Sequence, residues 1–122
     1  MSDKFLIAAA RAHALVCIAD GRLAWPEEHG FAGRMKSDPS FGSFSEQQLR
    51  QASVVAFAFL KGEEPFDAVA QQIASLVSTS DEREAVIRAA RAALVADGAR
   101  REQEDDAMVA IAKALGLDSS KA

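Results

Sequence analysis

Ile18-Ala19-Asp20-Gly21-Arg22-Leu23-Ala24-Trp25-Pro26-Glu27-Glu28 returns, altered, as Val95-Ala96-Asp97-Gly98-Ala99-Arg100-Arg101-Glu102-Gln103-Glu104-Asp105. In each copy an alanine-rich apolar run ends at Ala-Asp-Gly. A short connection follows, and a new amphipathic run opens on adjacent carboxylates. Glycine after an apolar-periodic run is a helix stop, because it enters the left-handed region without a side-chain clash. Acidic residues in a first turn suit the positive end of the helix dipole. The pattern predicts helix, tight turn, helix, twice over, and so an internal repeat with an approximate twofold arrangement.

The placement of charge adds a second expectation. Glu27, Glu28, Glu104 and Asp105 are favoured where they stand, but Asp20 and Asp97 close a helix at its negative end. Either each is satisfied by the amides of its own turn, or each joins the later carboxylates in holding a cation. A set of carboxylate oxygens favours Ca²⁺ or Mg²⁺ over zinc. The spacing is not that of an EF-hand, in which oxygens alternate along one loop.

Working outward, 122 residues with 49% hydrophobic content suit one domain with its own core, over residues 1–117, followed by a frayed tail at 118–122. Alanine dominates the apolar set and tyrosine is absent, which points to close-packed helices. With 14 basic and 18 acidic residues the net charge is −4, against a nucleic-acid partner. The single cysteine, Cys17, has no internal disulfide partner and suits a reducing, cytoplasmic setting. Met1-Ser2-Asp3-Lys4 leads into an apolar run broken by Arg11 and His13, without a clear cleavage site, so export is not expected.

The first helix, Phe5 to Ala19, carries Phe5, Ala9, Ala12 and Val16 on one stripe and a wide apolar arc, which places it deep. His13, Cys17 and Asp20 share one face; the matching positions Ala90 and Leu94 are apolar, so a packed, hydrogen-bonded His13 is expected rather than a metal ligand. Leu23 and Trp25 suit a hydrophobic staple and Pro26 a first helical position. Phe31 and Met35 form a buried edge, with Arg34 and Lys36 in solvent; Gly30 and Gly33 permit either a close helix approach or a weak surface helix.

Ser37 to Ser43 has ordinary loop composition, and Ser45 with Gln48 forms a capping box opening a helix to about Lys61. Its stretch Ala52–Leu60 is apolar apart from Ser53. It is too short for a bilayer that needs ~20 residues, so it is expected to be the central, most enclosed helix. Phe66, Val69, Ile73 and Val77 then give a one-faced pattern. Ser78 to Asp81 caps a helix to Ala96, on which Glu84 and Arg88 are placed for a surface pair. The last helix buries Met108, Ile111, Ala112 and Leu115 and stops at Gly116, with Leu117 packing back. The result is an all-α bundle of about six helices.

The doubled Ala-Asp-Gly with a Glu seven residues after each Asp, Asp20 to Glu27 and Asp97 to Glu104, together with Ala114-Leu115-Gly116-Leu117, resembles the TerB-like tellurite resistance family, which includes domains similar to the amino-terminal domain of DjlA. The resemblance spans the first helix to Leu117. It implies an all-helical domain in chemical-stress proteins, with a divalent cation held by clustered acids. Carried over residue by residue, these are Asp20, Glu27, Asp97 and Glu104, with Glu28 and Asp105 as neighbours. The second copy departs from the pattern at Arg100, where Leu23 stands in the first.

No nucleophile–base set or phosphate-cradling loop is present, and His29 is matched by Asp106, so an enzyme is not expected. Two functions follow: a cytoplasmic, cation-binding stress accessory protein, or a metal-free helical module that docks a protein partner.

Overall fold

The computed structural model describes the backbone of residues 3–18, 27–60, 65–96 and 102–117, and the side chains of 3–18, 31–60, 65–93 and 105–117. Within them are six α-helices and no strand. These are α1 (Asp3–Ile18), α2 (Glu27–Met35), α3 (Glu46–Phe59), α4 (Phe66–Ser75), α5 (Ser80–Ala96) and α6 (Glu102–Ala114). A single 3₁₀ turn at Pro39–Phe41 joins α2 to α3.

The core is built around α1. Phe5, Ala8, Ala9, Ala12 and Val16 are fully buried, and ten residues of this helix are enclosed. Alanine on nearly every side lets neighbouring helices approach closely, and α1 touches all five others. Its longest contact is with α5, which contributes Ala85, Val86, Ala89 and Ala90. Large side chains fill the gaps: burying a Phe or Ile outright stabilises by roughly 1.5–3 kcal/mol.

The expectation that Ala52–Leu60 forms the most enclosed helix is corrected. Helix α3 lies at the edge, burying Leu49, Ser53 and Ala56 from one stripe while Val54, Val55 and Phe59 are exposed. Continuous apolarity was a poor guide there. A one-sided stripe at helical spacing is what a helix with neighbours on one side needs, and Leu49, Ser53, Ala56 and the capping Leu60 supply it.

Exchange of the two halves describes the packing only in part. Helix α2 lies on α3 much as α6 lies on α4, yet α1 packs on both α3 and α4, whereas α5 packs chiefly on α1 and α6.

The ends are set locally. Ser45 accepts from the Gln48 amide while Gln48 Oε1 accepts from the Ser45 amide, the expected capping box. Thr79, within the expected Ser78–Asp81 cap, forms a second box with Glu82: the Glu82 amide donates to Thr79 Oγ1, and Glu82 Oε1 accepts from the Ser78 and Thr79 amides. At the far end Leu117 N donates to Ala112 O and Gly116 N to Lys113 O, with Gly116 at φ +74. That is a Schellman closure. Leu117 is half-buried against the core.

Candidate functional site

Of the six acids proposed as ligands, two lie outside the described residues and three more have no described side chain. Asp20 and Asp97 lie outside them altogether, as do Leu23, Trp25, Pro26 and Arg100, and the tail at 118–122. Glu27 and Glu28 open α2, and Glu104 and Asp105 lie in the first turn of α6, but of these only Asp105 has a described side chain; it is half-buried. Helix α1 is described to Ile18 and α5 to Ala96, and each Asp-Gly follows outside the described residues. Both stretches thus join two helices, and in each the second helix begins on carboxylates. Such hard oxygen donors suit Ca²⁺ or Mg²⁺. Among the described residues, no group of three or more His, Cys, Asp or Glu is placed to hold a metal ion.

His13 is where the described structure departs most from an ordinary apolar core. It is wholly buried, its ring 5.2 Å from that of Phe31 in an edge-on arrangement. Arg34 Nη1 donates to its Nε2 at 2.9 Å. Burial, and then the Arg34 charge, push its pKa down to about 3, so the ring is neutral. Guanidinium has no acceptor to offer, so Nε2 must be the bare nitrogen and Nδ1 carries the proton. Nδ1 therefore donates to Cys17 Sγ at 3.7 Å. The packed, hydrogen-bonded His13 expected from the sequence is what the fold contains. Arg34 is a correction: it is half-buried and points inward to His13 rather than standing in solvent. An arginine at the end of a short amphipathic helix gave no signal of an inward partner.

Ser37–Ser43 is also more than a connector. Asp38 Oδ1 accepts from the Ser40 amide, capping the 3₁₀ turn, and Phe41 enters the core at 4.9 Å from the Phe5 ring and 6.1 Å from Phe31. Arg88 donates from Nε to Asp38 Oδ2 and from Nη2 to Oδ1 and to Ser40 Oγ. Arg88 thus reaches across to this turn. The expected surface pair with Glu84 is replaced, because a two-toothed contact to a partly buried carboxylate is stronger than an exposed pair along one helix. Gly33 meets no neighbour where a Cβ would stand, so it permits no close approach.

Arg11 occupies the other unusual position. Its guanidinium carbon lies 3.8 Å from the centre of the Phe59 ring, and its buried Nε has no hydrogen-bond partner. Burial lowers its pKa. It lines a groove of about 550 Å³ between α1 and α3.

No helix among the described residues is long and apolar enough to cross a membrane. No curated protein and no solved structure matches the chain. The family model described as tellurite resistance protein TerB matches residues 6–122, nearly the whole length. The chain belongs to the TerB tellurite resistance family.

Proposed function

We propose that the protein is a cytoplasmic accessory of a chemical-stress response that binds a divalent cation, rather than an enzyme. The observation carrying this reading is the doubled corner: twice an Asp-Gly stretch joins two helices, and twice the second helix opens on carboxylates. Membership of the tellurite resistance family supports it. Asp20, Glu27 and Glu28 would hold an ion at one corner, Asp97, Glu104 and Asp105 at the other. A bound Ca²⁺ or Mg²⁺ supplies positive charge at the helix ends. The chain's own contribution is to gather the acids there, where the amino ends of α2 and α6 favour negative charge.

Calorimetry with Ca²⁺, Mg²⁺ and Zn²⁺ tests the reading on the wild type and on Asp20→Asn and Asp97→Asn. Heat with Ca²⁺ or Mg²⁺, a raised melting temperature, and loss of both in the variants are expected. Silence with all three ions overturns cation binding and leaves the alternative, a metal-free helical module that docks a protein partner.

A further inference from the structure

Two of the exposed large apolar side chains, Ile7 and Val55, line one groove. Ile7 on α1 and Val54, Val55 and Phe59 on α3 are each more than a third exposed, with Val109 standing apart on α6. Between α1 and α3 runs the groove. Its α1 wall carries Asp3, Ile7 and Arg11 at four-residue spacing, with Leu6 beside them, and its α3 wall includes Ala52 and Val55. The two ends differ in charge. Asp3 stands at one end, and Arg11, backed by the Phe59 ring, at the other. No hydrogen bond or ion pair among the described residues reaches Arg11, and its Nε is buried without a partner. The buried Nε lacks an acceptor while the half-buried guanidinium lines the groove, and a carboxylate is the acceptor that matches its charge and its planar fork.

We propose that this groove is a docking site for an amphipathic helix of a partner protein, with a carboxylate near its amino end on Arg11, apolar side chains on Ile7 and Val55, and a basic residue near its carboxyl end on Asp3. The charge order fixes the polarity. Helices favour acids in their first turn and bases in their last, so the occupant runs antiparallel to α1. Asp3 and Arg11 are eight residues apart on α1, which is about 12 Å, so the occupant's acid and base are separated by about two turns. The site lies on α1 and α3, is lined by none of the six acids, and does not depend on cation binding.

Two alanine-rich peptides of about 18 residues, long enough to hold helicity, serve as probes. Both carry central leucines four residues apart. One has Glu before them and Lys after, and the other has these two exchanged. Fluorescence anisotropy should show the Glu-first peptide binding at least about tenfold tighter. Arg11→Glu should invert that order, and Val55→Asp, at an exposed position, should weaken both while circular dichroism and melting temperature stay those of the wild type. Binding of neither peptide, or equal binding of both that Arg11→Glu leaves unchanged, overturns the proposal. So does a homodimer in sedimentation that Val55→Asp dissolves, since the occupant would then be a second copy of the chain.

Discussion

Arg88 and Asp38 are 50 residues apart along the chain, yet the guanidinium Nε sits 2.9 Å from the carboxylate and closes the α2–α3 connection onto α5. The same arginine holds Ser40, and Asp38 itself caps the turn that brings Phe41 into the core. One ion pair therefore ties a capped turn, an aromatic anchor and a distant helix together. Because the Arg88 side chain is 41% exposed, solvent screening keeps the contribution modest.

Asp38→Ala and Arg88→Ala should each destabilise by about 1–2 kcal/mol, and a double-mutant cycle should give a coupling of about 1 kcal/mol. Urea titration of the four proteins measures it; strict additivity would mean that the contact contributes nothing. The bond from Arg88 also holds the Asp38 carboxyl below its ordinary value of 3.8. A depressed carboxyl stabilises the fold above that ordinary value and loses the effect as pH falls through the folded-state value. The Arg88→Ala penalty should thus be full at neutral pH and shrink in strong acid.

His13 gives a second acid sensitivity in a different window. Its folded pKa is about 3 against an ordinary 6.5, so the unfolded chain takes up a proton that the folded chain refuses. Stability from this group is complete above 6.5 and falls by about 1.4 kcal/mol per pH unit below it until about pH 3. Going from pH 6.5 to 5 should cost roughly 2 kcal/mol, and the slope should vanish in His13→Leu whatever that variant's stability at neutral pH. Nitrogen-15 chemical shifts should report the proton on Nδ1 at pH 7; a proton on Nε2 would contradict the hydrogen bond from Arg34.

What the sequence made legible follows from how local each signal is. The helix count, the Ser45–Gln48 box and the Gly116–Leu117 closure depend on neighbours within a few residues, and all three stand in the fold. Arg34 to His13, and Arg88 to Asp38, span 21 and 50 residues. An arginine on an amphipathic helix looks the same whether it ends in water or on a distant acceptor, so neither was legible. Helix α3 misled for a related reason. Apolar composition says how much surface a segment would bury, while neighbours decide how much it can, and Val54 and Val55 face outward despite their chemistry. Of the acidic corners, the structure describes α1, α2, α5 and α6 on either side and not the Asp-Gly stretches between them.

The Thr79–Glu82 box makes a third prediction. Glu82 is buried, and the amides of Ser78 and then Thr79 hold its carboxyl below the ordinary range. Glu82→Ala leaves these two amides without that acceptor at the start of α5, the longest neighbour of α1, and should cost about 1–2 kcal/mol. Glu82→Gln keeps a carbonyl acceptor and should lose less than half as much. Equal losses in urea titration would show that charge, not the hydrogen bonds, is what α5 needs there.

Two glycines test whether backbone conformation or space limits this fold. Gly33 is exposed within α2, has an ordinary helical setting and meets nothing where a Cβ would be added. Gly33→Ala removes freedom from the unfolded chain and should stabilise by about 0.5–1 kcal/mol. Gly116, at φ +74, would place a Cβ 3.7 Å from Arg83 Nη1, an ordinary contact, so crowding does not forbid a side chain there. The left-handed conformation does: Gly116→Ala should destabilise by about 1–2 kcal/mol. The closure it supports also lets Arg83 Nη1 donate to Leu115 O at 3.0 Å. Arg83→Ala should therefore lower the melting temperature of the wild type more than that of Gly116→Ala. Equal effects in the two backgrounds would mean that the helix end and the arginine act independently.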